Sequence, residues 1–225
     1  MRWHSYWPGL AALVAGLFLV FLYPQRWDTA LLAPWFDVAR QQFPLRHSWL
    51  LESALHTGLR SALLLVPIAT AALLIWQLLQ RQPARRTAWL LAAQILPALL
   101  VAILKYESIH ACPWDLAEYG GYAPHLPLFG ILPVGMAPGR CLPGGHASAG
   151  YALLAFYFGF RDDQPRLARF ALWGGLLLGT LMGWVQLMRG AHFLSHNLWS
   201  LWVSWVSLFA LSMVWSPVQG ERHAR

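Results

Sequence analysis

Long apolar stretches separated by short polar segments dominate the pattern of this chain. A membrane-spanning helix needs about 20 mainly apolar residues. Six stretches reach or approach that length, and they cover residues 8–23, about 50–79, 88–104, 147–160, 170–188 and 198–215. The fourth is short, but it follows a Gly-rich turn that could lie at membrane depth if it lined a cavity. The pattern predicts an all-α protein, a polytopic membrane helix bundle with six transmembrane helices.

The remaining organisation of the chain is simple. The first stretch has the length of a signal peptide, but the sequence Tyr23-Pro24-Gln25-Arg26 lacks a small-residue cleavage site, so we expect a retained helix. Aromatic and charged residues alternate in segment 24–49, which predicts either an interfacial segment on the outer surface or a plain loop with aromatic anchors. The sequence has no internal repeat and no segment whose composition differs from the rest, so residues 1–225 are predicted to form a single domain.

Composition supports a membrane environment. Only 11% of the 225 residues are charged, against about 25% in soluble domains, and 58% are hydrophobic. The formal net charge of +7 would suggest nucleic acid as the partner of a soluble protein. Here the arginines lie in short runs between apolar stretches, as positive-inside topology requires, so we expect the lipid bilayer and no nucleic acid as partner.

The distribution of cations between alternate loops predicts the orientation. The richer set comprises Arg2, Arg81, Arg85, Arg86, Arg161, Arg166, Arg169, Arg222 and Arg225. The other set comprises Arg26, Arg40, Arg46, Lys105, Arg140 and Arg189. Because the richer set is expected in the cytoplasm, segments 105–146 and 189–197 are predicted to face the outside.

Three polar clusters are predicted to meet at that outer side. Lys105, the single lysine, ends the third apolar stretch, segment 139–146 precedes the fourth, and segment 189–196 follows the fifth. Lys105, Arg140 and Arg189 would supply positive charge, and guanidinium groups match phosphate oxygens in pairs. Gly144 and Gly145 leave backbone N–H groups open to an anion at a helix start. The combination predicts a phosphate site.

Three histidines could complete a reactive site. His192 and His196 lie four residues apart, so on a helix they share one face and suit a nucleophile and the group that fixes its tautomer. His146 could act as general acid for a leaving alkoxide. Three histidines also form a zinc-like ligand set, although neighbouring cations would repel a metal ion. Interfacial histidines without chemistry are the third interpretation.

These clusters resemble the signature of the type 2 phosphatidic acid phosphatase (PAP2) superfamily over residues 105 to about 200. The family pattern begins with a Lys followed after six residues by Arg-Pro, which Lys105 and Pro113 match, while Cys112 occupies the arginine position. The second motif, Pro-Ser-Gly-His, matches the segment 143–146 except that Gly144 replaces serine. One phosphate-binding arginine is therefore missing, and we expect Arg140 to replace it.

The third motif, Ser-Arg followed after five residues by His and four positions later by Asp, aligns in two ways. In the favoured alignment His192 is the nucleophile, His196 replaces the orienting Asp, and Gln186 stands at the arginine position. Arg189 would then reach the phosphate from one turn away. In the alternative, His196 is the nucleophile seven residues after Arg189, and Ser200 stands at the Asp position. Ser200 would stabilise an imidazolium poorly, which favours the first alignment.

The two cysteines, Cys112 and Cys141, fall within the two outer segments that carry the first and second motifs. An oxidising periplasm would allow them to pair. We therefore expect a Cys112–Cys141 disulfide that holds the first motif against the second. The alternative is a pair of buried free thiols.

The resemblance implies a lipid phosphatase of the bacterial inner (cytoplasmic) membrane, with its site facing the periplasm and a membrane lipid phosphate as substrate. It implies a phosphohistidine on His192, protonation of the leaving group by His146, and no metal or other cofactor. Loop residues either read the head group or pack the loop: His110, Trp114, Asp115, Glu118, Tyr119 and His125. Two alternatives stay open: a lipid phosphotransferase that uses a lipid pyrophosphate donor, and a non-catalytic lipid-binding or transport protein.

Overall fold

The computed structural model describes residues 7–23 and 25–218, and within these ranges the chain is helical and contains no strand. Arg2, Arg222 and Arg225, which contribute to the predicted charge asymmetry, lie outside the described residues. The helices in chain order are α1 Trp7–Leu17, α2 Arg26–Leu32, α3 Leu59–Leu79, α4 Arg85–Glu107, α5 Gly145–Tyr151, α6 Leu154–Phe160, α7 Pro165–Met188 and α8 Leu194–Val214. Short π-helical segments, Phe18–Leu22 and Leu50–Gly58, extend α1 and precede α3.

Four helical segments are long and apolar enough to cross a membrane: Leu50–Leu79, Arg85–Glu107, Pro165–Met188 and Leu194–Val214. A fifth is possible if the first two helices, Trp7–Leu22 and Arg26–Trp35, form one broken span, and these two are bent by 87°. The structure thus has four to five candidate membrane spans in its described part, and six uninterrupted transmembrane helices are not confirmed.

The fourth predicted span is where the structure differs from the expectation. Residues 145–160 form two helices of seven residues each, α5 and α6, instead of one long helix. At the junction the N–H of Leu153 donates to Gly150 O and that of Ala155 donates to Ala152 O, so the backbone tightens to bonds spanning three residues. Each piece is therefore too short to cross a bilayer by itself.

The short helices α5 and α6 form the centre of the bundle, with α4, α7 and α8 packed around them. Trp89 of α4, Phe158 of α6 and Leu208 of α8 are buried together in the main hydrophobic core. A Cβ atom added at Gly150 would lie 2.5 Å from the Gly179 Cα atom, so α5 and α7 approach through their glycines. Close packing of this kind fixes the position of the chain segment that begins at Gly145.

The helix surfaces that face away from the core of the bundle are apolar. Leu64, Leu65 and Ile68 of α3 and Phe170 and Trp173 of α7 are all exposed. A soluble monomer rarely exposes so much contiguous apolar surface, whereas a membrane protein turns it towards lipid.

The helix termini meet in two groups, one at each end of the bundle. At one end Arg85 Nε donates to Ser216 O at 2.9 Å, and Arg86 forms an ion pair with Asp163. At the other end, called the site end below, lie the loop 108–144, the end of α4 and the starts of α5 and α8. A second core of buried side chains holds this end together, formed by Leu32, Phe43, Ala111, Leu116, Ala123, Leu187 and Phe193. Segment 24–49 thus packs onto the loop that carries the first two motifs.

Candidate active site

Lys105 and His146 line the same cavity. Lys105 lies in the last turn of α4, where its positive charge faces the negative end of the helix dipole. A Cβ atom added at Gly145 would lie 4.0 Å from Lys105 Nζ, so the lysine reaches the first turn of α5. The cavity between α3, α4 and α5 has a volume of about 600 Å³ and is lined also by Arg60. The structure therefore brings the first and second motifs together around a cationic cavity.

The start of α5 is fixed to the start of α8 by hydrogen bonds. The Gly144 N–H donates to His196 O at 2.9 Å, and the Ser200 hydroxyl donates to Gly144 O at 2.7 Å. The Gly144 N–H, predicted to bind phosphate, is thus already engaged inside the protein. A Cβ atom at position 144 would lie 2.6 Å from Asn197 Oδ1, which explains why glycine stands where the family pattern has serine. The second and third motifs are therefore held in direct contact.

His192 and His196 lie close together and both are buried, with exposed fractions of 3% and 5%. His192 precedes α8, which begins at Leu194, so the two do not share a helix face as their spacing predicted. Neither histidine is among the residues that line the cavity of Lys105 and His146. The Nδ1 atoms of His192 and His196 lie 3.4 Å apart. A hydrogen bond between two Nδ1 atoms requires one of them to carry the proton and the other to accept it. If His192 donates, its Nε2 atom carries the lone pair that a nucleophile needs. Ser200 is hydrogen-bonded to the backbone and offers His196 no comparable partner.

The predicted disulfide between Cys112 and Cys141 is confirmed, with the Cα atoms 5.1 Å apart. It joins the loop that follows α4 to the segment that precedes α5. Cys141 Sγ also lies 3.3 Å from His192 Nδ1, so the disulfide packs directly against the histidine pair. These two sulfur atoms and His192 form the one cluster of possible metal-ligand atoms in the described residues. Because the sulfurs are bonded to each other, the cluster retains a single nitrogen donor.

Arg189 is buried, and its guanidinium is engaged by groups that the motifs do not include. It donates to Arg46 O at 3.0 Å and to Gln186 Oε1 at 3.3 Å, and its Nη2 atom lies 3.3 Å from Glu52 Oε1. Burial lowers the pKa of Arg189, and the negative charge of Glu52 opposes that effect. The structure thus places Arg189 beside Glu52, three positions before His192 in the sequence.

Arg140 is exposed, and its guanidinium stacks over the Tyr106 ring with 4.2 Å to the ring centroid. Its backbone N–H donates to Ser108 O. It is not among the residues that line the cavity of Lys105 and His146. The contribution of Arg140 to phosphate binding therefore stays a prediction that this arrangement does not support.

A smaller polar cavity of about 100 Å³ is lined by His196. Asp28, His110 and His125 line it, and Asp28 Oδ1 accepts hydrogen bonds from the Ser195 N–H at 2.9 Å and the Tyr23 hydroxyl at 2.8 Å. Burial lowers the pKa of His110, so its neutral form is favoured. This cavity brings polar side chains from segment 24–49 and loop 108–144 to the start of α8.

Several loop residues that were predicted to read a head group also pack the loop. The Trp114 ring lies under Arg46 at 4.3 Å and its Nε1–H donates to Asp115 at 3.0 Å. Tyr119 packs against the rings of Phe36 and Phe43. His125 Nδ1 lies 3.0 Å from Glu118 Oε1.

Three charged residues near the site were missed by the sequence motifs: Asp28, Glu52 and Arg60. All three precede the segment that carries the family resemblance. A signal was available for Arg60, because an isolated charge in an apolar helix is costly and is usually functional. Glu52 and Asp28 gave no comparable signal, since each lies close to the polar end of its segment.

Comparison with known proteins gives one family match. The model of the PAP2 superfamily matches residues 86–219, more than half of the chain. The matched range contains α4 to α8, the disulfide and all three motifs. Neither a curated protein nor a solved structure matches the chain.

Proposed function

Because the chain belongs to the PAP2 superfamily, whose members are phosphatases, we propose that it is an integral-membrane lipid phosphate phosphatase. The proposed reaction hydrolyses a phosphomonoester or a pyrophosphate of a membrane lipid. The observation that carries this proposal is the cavity of about 600 Å³, in which Lys105, Arg60 and His146 stand at the end of an otherwise mainly apolar wall. Such a cavity matches a molecule with an anionic head and a hydrocarbon chain.

The proposed chemistry uses the histidines in two steps. The Nε2 atom of His192 attacks phosphorus in line, the bond from phosphorus to the leaving oxygen breaks, and His146 gives that oxygen a proton. Water then attacks the phosphohistidine, His146 takes the water's proton, and inorganic phosphate leaves. Nearby positive charge stabilises the phosphate oxygens in both transition states, which is the main demand of phosphoryl transfer.

His196 is proposed to hold His192 in the reactive tautomer. The family pattern places an aspartate at this position, and here the Nδ1 atoms of the two histidines lie 3.4 Å apart. A neutral His196 that accepts the His192 Nδ1–H keeps the lone pair of His192 on Nε2, the atom that attacks phosphorus. This direction of the hydrogen bond makes His192, and not His196, the proposed nucleophile.

The proposed topology has six membrane crossings, with the site facing the periplasm and the chain in the bacterial inner membrane. Residues 145–160 start beside the first turn of α8 and lead to Asp163, which pairs with Arg86 at the start of α4. Residues 145–160 span about 24 Å at 1.5 Å per residue, against about 35 Å for the 23 residues of α4, and the turn that leads to Asp163 completes the proposed crossing. The end away from the site carries Arg81, Arg85, Arg86, Arg161, Arg166 and Arg169, as the positive-inside rule expects of a cytoplasmic face.

Release of phosphate tests the proposed function. The purified protein in detergent is given phosphatidic acid, phosphatidylglycerol phosphate, undecaprenyl pyrophosphate or lipid A phosphates. We expect inorganic phosphate from at least one of them, with the rate unchanged in excess EDTA. A phosphorylated second lipid in place of inorganic phosphate would show a transferase, and loss of activity in EDTA would overturn the metal-independent mechanism. Binding without either product would show a lipid-binding protein.

A further inference from the structure

Arg60 is the single charged residue of α3 and lies in its first turn. It lines the same cavity as Lys105, and the positive charges of the two side chains repel each other across it. Two cations that face one cavity raise its electrostatic potential, and an anion between them would turn the repulsion into attraction. The pair is therefore suited to a negatively charged ligand.

Protein groups do not neutralise this pair. None of the residues that line the cavity carries a carboxylate. In the described part of the chain neither Arg60 nor Lys105 forms an ion pair, whereas Arg189 is paired with Glu52. Arg60 and Lys105 are thus available to a ligand, and Arg189 is held by the protein.

The rest of the cavity wall is mainly apolar. Leu63, Leu64 and Pro67 of α3 face Ile95, Leu99 and Ala102 of α4 across it. Leu64, Ile95 and Leu99 are also exposed on the outer surface of the bundle, so the cavity continues to the surface that would contact lipid. A hydrocarbon chain could lie between α3 and α4 while its head group stays beside the two cations.

Arg60 also offers a replacement for the arginine that the first motif of the family pattern contains and this chain lacks. The position that carries this arginine is Cys112, whose sulfur is bonded to Cys141. The matched family range starts at residue 86, so Arg60 enters the cavity from a helix outside it.

We propose that Arg60 and Lys105 together bind the phosphate of the substrate, with Arg60 replacing the arginine that the first motif lacks. This inference rests on the proposed function. It assigns Arg60 as a substrate-binding residue and the apolar wall between α3 and α4 as the surface that contacts the hydrocarbon chain of the substrate. Arg60 and Lys105 hold the phosphate beside His146, which lines the same cavity. The apolar wall selects phosphates that carry a long hydrocarbon chain over inorganic phosphate.

Direct binding of a non-hydrolysable ligand tests this assignment without relying on activity. Hexadecylphosphonate and inorganic phosphate are titrated calorimetrically into the full chain in detergent, using wild type, Arg60→Gln, Arg60→Lys and Arg169→Gln. Arg169 is an exposed arginine near the other end of the bundle, so its variant is a control matched in charge. Hexadecyl maltoside serves as the uncharged ligand of equal chain length.

We expect Arg60→Gln to weaken hexadecylphosphonate binding by about tenfold or more, the loss that corresponds to one charged contact. Arg60→Lys should retain part of the affinity, Arg169→Gln should retain all of it, and maltoside binding should be equal in all four proteins. In wild type, hexadecylphosphonate should bind more tightly than inorganic phosphate. In kinetic assays Arg60→Gln should raise KM more than it lowers kcat.

The outcomes separate this inference from the proposed function. Unchanged phosphonate binding in Arg60→Gln, with an active wild-type enzyme, overturns the assignment and leaves the phosphatase proposal intact. Weakened binding with a wild-type protein that hydrolyses no lipid phosphate supports the anion site and contradicts the phosphatase. Equal weakening of maltoside binding would show that the substitution damages the cavity, which also overturns the assignment.

Discussion

The Nδ1 atoms of His192 and His196 lie 3.4 Å apart in a buried environment, where one histidine takes the place of an acidic partner. A carboxylate accepts the imidazole N–H and stabilises the cation that forms during attack. A neutral imidazole accepts the same hydrogen bond but supplies no charge. In the proposed mechanism the pair therefore preserves the orientation of the nucleophile but stabilises the cation less than a carboxylate would.

Substitution of His196 tests this interpretation. His196→Ala removes the acceptor, so we expect kcat to fall by about a hundredfold or more, because the wrong tautomer of His192 becomes populated. His196→Asp keeps an acceptor and adds charge, so it should retain far more activity than His196→Ala. Initial rates of phosphate release measure both variants. Equal losses in the two variants would mean that His196 supports packing and not the tautomer.

Loss of the Cys112–Cys141 disulfide should destabilise the site end. The two cysteines are 29 positions apart, and a cross-link over such a loop contributes about 3–4 kcal/mol by restricting the unfolded chain. Cys112→Ser and Cys141→Ser should each lower the unfolding midpoint in detergent, and the double variant should resemble the singles. Additive losses would show that each cysteine stabilises the fold independently of the bond.

Two glycines on α7 provide a matched test of the central packing. A Cβ atom at Gly179 would overlap the Tyr151 ring, whereas a Cβ atom at Gly174 would meet nothing within 4 Å. Gly179→Ala should therefore destabilise the protein by about 1–3 kcal/mol. Gly174→Ala should be neutral or stabilising by about 0.5–1 kcal/mol, because alanine favours the helix. Thermal unfolding followed by circular dichroism distinguishes the pair, and similar midpoints would contradict the close contact of α5 with α7.

The burial of His110 predicts a loss of stability in acid. Burial, assisted by the charge of His125, lowers the pKa of His110 below 6.5, while hydrogen bonds to backbone carbonyls oppose the shift. The unfolded chain then takes up a proton before the folded chain does, so this stability is present above pH 6.5 and is lost as the pH falls. Unfolding midpoints between pH 8 and pH 5 should show the loss, and His110→Gln should reduce it. An equal pH dependence in that variant would assign the effect to other groups.

The sequence predicted the features that depend on local pattern. Apolar length identified the long helices. The two histidines, His192 and His196, lie close together as expected, although His192 lies outside α8 and the two share no helix face. The pairing of Cys112 with Cys141 followed from two cysteines in adjacent motifs, and the structure has this bond.

Features that depend on contacts between distant segments were not predictable in the same way. Residues 147–160 were predicted as one apolar span, because nothing in their composition shows that Gly150 must approach Gly179 and that the helix breaks beside it. Glu52 and Arg189 form an ion pair although they lie in distant parts of the sequence, so no local motif could have paired them. Arg60 was not predicted as a site residue, because its position beside Lys105 became visible only when α3 packed beside α4.

The central claim is that phosphate leaves a lipid through attack by His192 with help from His146. The most direct measurement compares phosphate release by wild type, His146→Ala and His192→Ala, each purified in detergent and matched in unfolding midpoint. We expect His192→Ala to lower kcat by at least about a thousandfold, as loss of a nucleophile does. His146→Ala should also lose most of its activity on substrates with a poor leaving group. A His192→Ala variant that folds normally and releases phosphate at the wild-type rate would contradict the account.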